Sequence, residues 1–338
     1  MKNIPLSNKL PKKTKFFYGI GDLGNAVVNS AIQFFLMKFY TDGALILPSL
    51  AGNALLIGKI WDAINDPLFG WMTDKTKSRF GKRRVFMIFG AIPLAIAIAL
   101  LWYVPAANRI WTFVWIALTF MLFDTVWTLT TVPYYSLTSE LTDDYDERSS
   151  LTTYRMVMAV PAYLLGAAVT PAIVGLFALQ RTGYAFIGIL YGIIAAVALL
   201  ISAAGFRERK TKVEARSESN PFKSMGAALR NKPFLWLCAV YLTVNLSFAF
   251  IKILMAYFIE YQLLMKAQTT LVMGLMLVCV TISLPFWQWL SRKMDKGPAY
   301  AIGMAVGALA VLVTFFLPHG ATPLIYIVSV LAGFGFAA

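Results

Sequence analysis

The stretch KIWDAINDP, residues 59–67, lies within an apolar segment, residues 47–74, that is long enough to cross a bilayer as a helix. A helix places residues four apart one above the other, so Asp62 and Asp66 share one face. Asn65 is three residues from Asp62 and joins that face. The stretch therefore predicts an oxygen-rich cluster on one side of a transmembrane helix.

The chemistry of this cluster indicates what it binds. Carboxylate and amide oxygens suit a small hard cation, and two neighbouring carboxylates can instead share a proton. Pro67 lacks an N–H, which frees a backbone carbonyl in the preceding turn as a further oxygen. A carboxylate at membrane depth costs at least about 2.5–3.5 kcal/mol, and Lys59 is a candidate counter-charge for Asp62. We expect a coupling site for an ion; a purely structural Lys59–Asp62 pair is the alternative.

The composition places the whole chain in a membrane. Of 338 residues, 59% are hydrophobic and 14% are charged, and the mean hydropathy of +0.68 exceeds that of a soluble domain. The net charge of +14 would suit a nucleic-acid-binding protein, but Lys and Arg fall in the short stretches between apolar segments. We therefore predict an all-α polytopic membrane protein that contacts membrane lipids and binds no nucleic acid.

Ten hydrophobic segments follow a basic N-terminal stretch. We interpret them as helices, because a helix in lipid satisfies its own backbone hydrogen bonds. The segments are 16–41, 47–73, 85–105, 110–139, 151–178, 182–206, 234–262, 267–290, 298–317 and 321–338. A cytoplasmic linker, 207–233, separates an N-terminal six-helix bundle, 1–206, from a partial C-terminal bundle of about four helices, 234–338. A weak echo between the loops after the second and eighth segments favours a duplicated fold.

The basic loops predict the orientation. Stretches 75–84, 207–232 and 291–297 are rich in Lys and Arg, whereas 41–46 contains neither. The positive-inside rule then puts the N-terminus and the loops after the even-numbered helices in the cytoplasm. One cytoplasmic loop, 140–147, is acidic instead and is able to pair with the basic loops when the inner face closes.

Several motifs resemble a known family. GWMTDK at 70–75, followed by GKRR at 81–84, is similar to the loop motif of the major facilitator superfamily. YGIGD, WDAINDP, VPYYSL and YRM more specifically resemble the glycoside–pentoside–hexuronide:cation symporters, the group of the melibiose permease. These four motifs lie at residues 18–22, 61–67, 132–137 and 154–156. The resemblance runs along the N-terminal half and is diffuse after residue 234.

This resemblance implies a major facilitator fold and a secondary active transporter, not an enzyme. It implies symport of a sugar or glycoside with Na⁺ or H⁺ by alternating access, no cofactor beyond that ion, a monomer, and a bacterial inner membrane. In the family, second-helix acids bind the cation with help from a fourth-helix threonine. The cation ligands here would be Asp62, Asn65, Asp66 and Thr128, with Asp62 and Asp66 as Na⁺ candidates. Charged cytoplasmic loops would latch the inner face through Asp74, Arg79, Arg83 and Arg84.

The family's sugar site carries over to this sequence only in part. Its fourth-helix aromatic falls on Tyr135 and its fifth-helix arginine on Arg155. Its first-helix lysine falls on Asn25, its first-helix acid on Ala26 and its fourth-helix acid on Thr131. These last three departures argue against a melibiose-type galactoside as the substrate.

Nearby polar residues are candidate replacements in the substrate site. Asp22 lies one helical turn before the missing first-helix acid. Asp124, Thr128 and Thr131 are spaced to form one polar stripe, which should face the bundle interior. For Asp22 and Asp124 the alternative is a structural partnership with Arg155 or another buried charge.

Three further residues complete the expected cavity. Lys252, inside the seventh helix, either binds an anionic substrate group or pairs with an acid such as Glu260. Tyr18 and Tyr134 are expected near the cavity, where their rings can stack on a sugar face.

Other functions stay open at this point. Sodium-coupled lysophospholipid carriers share the 61–67 motif and have an acid where Asp124 stands, so an amphiphilic substrate is the main alternative. GIGD at 19–22 is typical of intramembrane aspartyl proteases, but their second Tyr-Asp pair has its counterpart here only in the polar loop at 145–146. The family has twelve helices, so a chain with ten is expected to be truncated, and a non-functional transporter fragment is the last alternative.

Overall fold

The computed structural model describes residues 10–76, 78–105, 108–205, 230–264, 268–294, 296–314, 316 and 322–337. Ten α-helices run through these residues, one for each predicted apolar segment. They are α1 Lys12–Ala31, α2 Pro48–Lys75, α3 Arg84–Leu101, α4 Arg109–Leu141, α5 Tyr145–Val174, α6 Gln180–Gly205, α7 Lys232–Tyr257, α8 Thr269–Met294, α9 Lys296–Thr314 and α10 Thr322–Phe336. The all-α prediction is confirmed, with six helices before the predicted linker and four after it.

Six of the helices combine membrane-spanning length with high hydropathy. They are α3 to α6, α8 and α9, and the mean hydropathy of their apolar stretches lies between 1.4 and 2.5. Helix α2 is long enough to span, but its middle carries Lys59, Asp62 and Asp66. The chain is therefore an integral, multi-pass membrane protein in which polar chemistry is concentrated on particular helices.

The first compact unit comprises Met1–Tyr163 with Ile173–Asn245. In it α6 packs against α1 and α3, and α4 packs against α2 and α3. Small residues allow the close crossings: a Cβ on Gly24 of α1 would lie 2.7 Å from the Ala195 Cα of α6. Between α2 and α3, Gly81 adopts a φ of 108°, a conformation that glycine adopts without steric cost.

The second compact unit comprises Leu164–Ala172 with Leu246–Ala338. Helices α8, α9 and α10 pack together around a small core formed by Met276, Ala310, Val328 and Ala332. A Cβ on Gly335 of α10 would collide with the backbone of Gly307 and Gly303 on α9, so these glycines let the two helices touch. The division of the chain at residues 206 and 234 stays a prediction.

An internal repeat appears at the ends of the first and seventh helices. The seventh helix continues directly into a π-helical turn, Phe258–Gln262, and the first reaches a corresponding turn, Phe39–Gly43, after an earlier π-helical turn at Ile32–Leu36. In both, the residue after the turn donates its backbone N–H to the first phenylalanine's carbonyl, at 2.8 and 3.0 Å. In both, the next residue is a leucine with a φ of 57°, Leu45 or Leu264. A non-glycine residue with positive φ is uncommon, so its recurrence in the same register supports a duplicated fold.

Candidate functional site

Helices α2 and α4 bring two of the predicted cation ligands together. Thr128 Oγ1 donates a hydrogen bond to Asp66 Oδ1 at 2.8 Å, with the threonine buried and the aspartate exposed. One turn away, Trp61 Nε1 donates to Thr125 Oγ1 at 2.8 Å and holds the helices in register. Gly58 permits this approach, because a Cβ there would collide with the ring of Phe120. Two of the four predicted cation ligands are thus joined across two closely packed helices.

Asn65, another predicted cation ligand, is buried on the same helix as Asp66. It is 1% exposed, and neither its Oδ1 nor its Nδ2 has a hydrogen-bond partner in the part of the chain that the structure describes. Burying an amide without partners costs free energy, so such a group is ready to bind a ligand. The carboxylate of Asp66, the hydroxyl of Thr128 and the amide oxygen of Asn65 are all hard donors, a set that fits Na⁺.

Asp62 lies on the same helix but is bound differently. Lys59 Nζ is 3.0 Å from Asp62 Oδ2 and 3.4 Å from Asp124 Oδ1, so one ammonium bridges α2 and α4. Asp124 is 3% exposed, and its second oxygen makes no well-formed hydrogen bond with the described residues. The two carboxylates also lie close enough to interact with each other. The sequence leaves open that Asp62 pairs with Lys59 and that Asp124 pairs with a buried charge. The structure contains both pairs, and Lys59 is the partner in each.

A second polar cluster joins α1, α4 and α5. Arg155 Nε donates to Asp22 Oδ2 at 2.6 Å, and its guanidinium carbon lies 4.5 Å from the centre of the Tyr135 ring. Asn25 and the Tyr135 phenol lie beside the Asp22 carboxylate. The Asn25 amide nitrogen is buried and makes no well-formed hydrogen bond with the described residues. This cluster offers a charged fork, an exposed aromatic ring and a spare donor, a combination suited to hydroxyl groups.

Two tyrosines fix the position of this second cluster. Tyr18 Oη donates to the Tyr134 carbonyl at 3.1 Å, and Tyr134 Oη donates to the Tyr18 carbonyl at 2.7 Å. Their ring centres are 4.9 Å apart, and both residues are fully buried. The prediction that these rings stack on a sugar is therefore wrong, although Tyr134 does lie beside the cluster, with the Arg155 guanidinium carbon 5.6 Å from its ring centre. They lock α1 to α4, and a Cβ on Gly21 would lie only 2.6 Å from the Tyr134 ring.

The other predicted substrate residues make no contact among the described residues that assigns them to this cluster. Thr131 is buried and donates its hydroxyl to the Trp127 carbonyl of its own helix at 2.8 Å. The side chain of Lys252 lies outside the described residues. Of the predicted substrate set, Asp22, Asn25, Tyr135 and Arg155 are assembled, while Asp124 lies with the α2 acids.

Two of the four predicted latch residues, Arg83 and Asp74, form an ion pair, in which the Arg83 side chain is 8% exposed. Arg83 contacts Asp74 at 2.6 Å, Glu140 at 2.9 Å and the Thr73 hydroxyl at 2.8 Å. Glu140 is the first acid of the predicted acidic stretch and lies in the last turn of α4, so one member of that stretch pairs with a residue of a basic loop. The other two predicted members make separate contacts. Arg84 donates to the Ala203 carbonyl at 2.7 Å, and Arg79 lies 4.9 Å from the centre of the Phe80 ring.

Comparison with known proteins identifies relatives along the whole chain. Residues 17–338 match the family described as MFS/sugar transport protein. An uncharacterized symporter of Synechocystis is 35% identical over 60% of this chain and 39% of its own length. Sodium-dependent lysophosphatidylcholine symporter 1 of Xenopus tropicalis is 27% identical over 98% of this chain and 70% of its own length.

Solved structures of transporters share the fold. The xylose transporter XylE from E. coli, in a partially occluded inward-open conformation, aligns with a TM-score of 0.53 and 16% identity. The alignment covers 96% of this chain and 82% of that one. An auto-inhibited POT family peptide transporter aligns with a TM-score of 0.52 and 13% identity, covering 97% and 80%. The matched family and these relatives are transporters rather than enzymes.

Proposed function

Because this chain belongs to the MFS/sugar transport protein family and has the major facilitator fold that its sequence predicted, we propose that it is a cation-coupled symporter of a sugar or glycoside. The observation that carries this proposal is the set of hard oxygen donors on α2 and α4, where Asp66 and Thr128 are joined and Asn65 is buried without a partner. Such groups are expensive inside a membrane and mark ion pathways.

The coupling ion in this proposal is Na⁺, with H⁺ as its alternative. Relatives named sodium-dependent symporters extend over almost the whole chain, and the donor set is one that Na⁺ prefers. When bound, the ion supplies a positive charge that offsets the α2 acids. Asp66 and Asp62 provide carboxylate oxygens, Asn65 the amide oxygen, and Thr128 turns its hydroxyl oxygen toward the ion instead of donating to Asp66.

The substrate in this proposal binds at the second cluster. Arg155 donates to substrate hydroxyls through the guanidinium nitrogens that Asp22 does not occupy. The exposed ring of Tyr135 offers a stacking surface for an apolar sugar face. Asn25, whose buried amide nitrogen lies beside the Asp22 carboxylate without a well-formed hydrogen bond, contributes an N–H donor. The matching residues, Tyr135 and Arg155, support membership of the melibiose-permease-like symporters. The departures at Asn25, Ala26 and Thr131 argue against a melibiose-type galactoside as the substrate.

Transport itself is proposed to follow alternating access, with the cytoplasmic cluster around Arg83 stabilising one state. The N-terminus is assigned to the cytoplasm by the positive-inside rule, in a bacterial inner membrane. The charge distribution of the loops supports the cytoplasmic N-terminus, and the family resemblance supports the bacterial inner membrane.

A sodium-dependent carrier of lysophospholipids is the second candidate. It is favoured by the 27% identity with the Xenopus lysophosphatidylcholine symporter, which extends over 98% of this chain. The buried Asp124, an acid that the sequence resemblance associates with those carriers, points in the same direction.

A ligand screen distinguishes the two. Thermal stability of the purified protein is measured with neutral glycosides, uronides and lysophosphatidylcholine, each with Na⁺ or with N-methylglucamine at equal ionic strength. Stabilisation by a glycoside that strengthens with Na⁺ is expected. Stabilisation by lysophosphatidylcholine alone would replace the sugar proposal with the lipid one, and indifference to Na⁺ throughout would remove sodium coupling.

A further inference from the structure

Lys59 occupies a branch point between two acids that differ in burial. Its ammonium is 3.0 Å from Asp62 and 3.4 Å from Asp124. The Asp62 side chain is 27% exposed, whereas that of Asp124 is 4% exposed. All three groups lie near the middle of their helices, Asp62 roughly 20 Å along a helix about 40 Å long. One positive charge therefore serves two negative charges near the middle of a spanning helix.

The two acids depend on that lysine unequally. A buried charge that loses its partner is strongly destabilising, because water cannot replace the lost interaction. Asp124 is in that position, and its second oxygen already lacks a well-formed hydrogen bond among the described residues. Asp62 is more open, so it is the acid that can release the ammonium and accept another cation instead.

The surroundings of Lys59 show where its ammonium would remain. It lies 5.6 Å from the centre of the Phe120 ring, within the range of a cation–π interaction. Phe120 and Asp124 are four residues apart on α4, so they form one face that can hold the ammonium without a contribution from Asp62. Asp62, once released, shares its helix face with Asp66 and with the buried amide of Asn65.

We propose that Lys59 is a movable internal counter-ion, which passes from Asp62 to Asp124 and Phe120 when the coupling cation binds. This inference rests on the proposed cation site. It assigns Lys59 a positioning role and Asp124 the role of receiver for the ammonium rather than a contact for the substrate. In the empty state Lys59 compensates Asp62. In the loaded state the bound cation compensates the charge of Asp62. Lys59 compensates Asp124 in both the empty and the loaded state.

The test is a double-mutant cycle on Na⁺ affinity, measured by equilibrium binding of ²²Na⁺ to purified protein without substrate. The variants are Asp124→Asn, Lys59→Gln and the double variant, with Lys59→Arg as the conservative control. If Lys59 is passed to Asp124, Asp124→Asn leaves the ammonium on Asp62 and weakens Na⁺ binding about tenfold when Lys59 is present. With Lys59→Gln there is no ammonium to redirect, so the same substitution changes affinity by less than about twofold.

The outcomes separate this inference from the function on which it rests. Lys59→Arg should bind Na⁺ like wild type, because its guanidinium can reach both acids. The contrary result is that Asp124→Asn weakens Na⁺ binding by the same factor with Lys59 and with Lys59→Gln. That result would mean that Asp124 acts on Na⁺ by its charge and not through Lys59. It would overturn the exchange of partners and leave the proposed function standing. Absence of Na⁺ binding in wild type would overturn sodium coupling, on which this inference rests, together with it. Asp124→Ser, which also removes the carboxylate, replaces Asp124→Asn in the double-mutant cycle if Asp124→Asn does not fold.

Discussion

Replacing Arg155 with alanine removes the charged fork of the proposed substrate site. The substitution breaks the 2.6 Å bond to Asp22 and removes the guanidinium stacked on Tyr135. The Asp22 and Arg155 side chains are 7% and 17% exposed, so the pair is shielded from solvent. Leaving a buried charge without its partner costs about 3–5 kcal/mol, and we expect a large fall in thermal stability.

Loss of substrate affinity has to be separated from this loss of stability. A hydrogen bond from a charged group contributes about 1.5–3 kcal/mol, so glycoside binding should weaken about 10-fold to 150-fold. The double variant Asp22→Asn with Arg155→Gln removes both charges and should recover most of the stability. If Arg155 binds the substrate, that double variant stays defective in glycoside binding while it binds Na⁺ normally.

The assays are calorimetric titration of a glycoside from the screen and Na⁺-dependent thermal shift, both in nanodiscs. Arg148→Ala is the matched control, since Arg148 lies on the same helix and pairs at 3.7 Å with an Asp143 side chain that is 93% exposed. An exposed pair contributes about 0–1 kcal/mol, and the bond from Arg148 Nε to the Thr142 carbonyl, at 2.9 Å, contributes about 1.5–3 kcal/mol. This variant should therefore lose some thermal stability but bind glycoside and Na⁺ like wild type. Recovery of full glycoside affinity by the neutral double variant would refute a binding role for Arg155 and leave it a structural counter-charge.

Five other substitutions test the cation site, the latch and the packing. Asp62→Cys or Asp66→Cys should abolish Na⁺-driven accumulation in proteoliposomes, and undiminished accumulation in either would remove that residue from the coupling site. Arg83→Gln loses the ion pairs with Asp74 and Glu140 and should lower the unfolding free energy by about 1–2 kcal/mol. The loss is no larger because Asp74 is exposed and solvent screens its pair. An unchanged melting temperature would contradict this. Gly24→Ala should cost about 1–3 kcal/mol, because its Cβ would meet α6 backbone, whereas Gly52→Ala points into open space and should stabilise by about 0.5–1 kcal/mol. Equal melting temperatures for the two alanine variants would argue against the α1–α6 crossing.

Hydropathy was sufficient to predict the ten helices, because each apolar segment must satisfy its own backbone in lipid. The ends shifted by several residues: α1 begins at Lys12 and α5 at Tyr145, since polar flanks can continue a helix into the interface. The π-helical turns carry no periodic sequence signal and were not predicted.

The site was only partly predictable. Helical spacing placed Asp62 and Asp66 on one face, and the family resemblance supplied Thr128. Sequence spacing cannot place side chains on different helices, so the bridge from Lys59 to Asp124 and the interlocked Tyr18–Tyr134 pair emerged only from the tertiary structure. The alternative that Asp22 pairs with Arg155 was available from the sequence because both charges had to be compensated inside a membrane.

Whether a cation binds at the α2–α4 oxygen cluster can be read from the sodium dependence of hydrogen exchange along the chain. We expect Na⁺ to protect the backbone amides of α2 around Asp66 and of α4 around Thr128, and to leave those around the exposed Asp74 unchanged. The Asp66→Asn variant should lose that protection. Protection that persists in Asp66→Asn, or that appears only on helices other than α2 and α4, would contradict cation binding at this site.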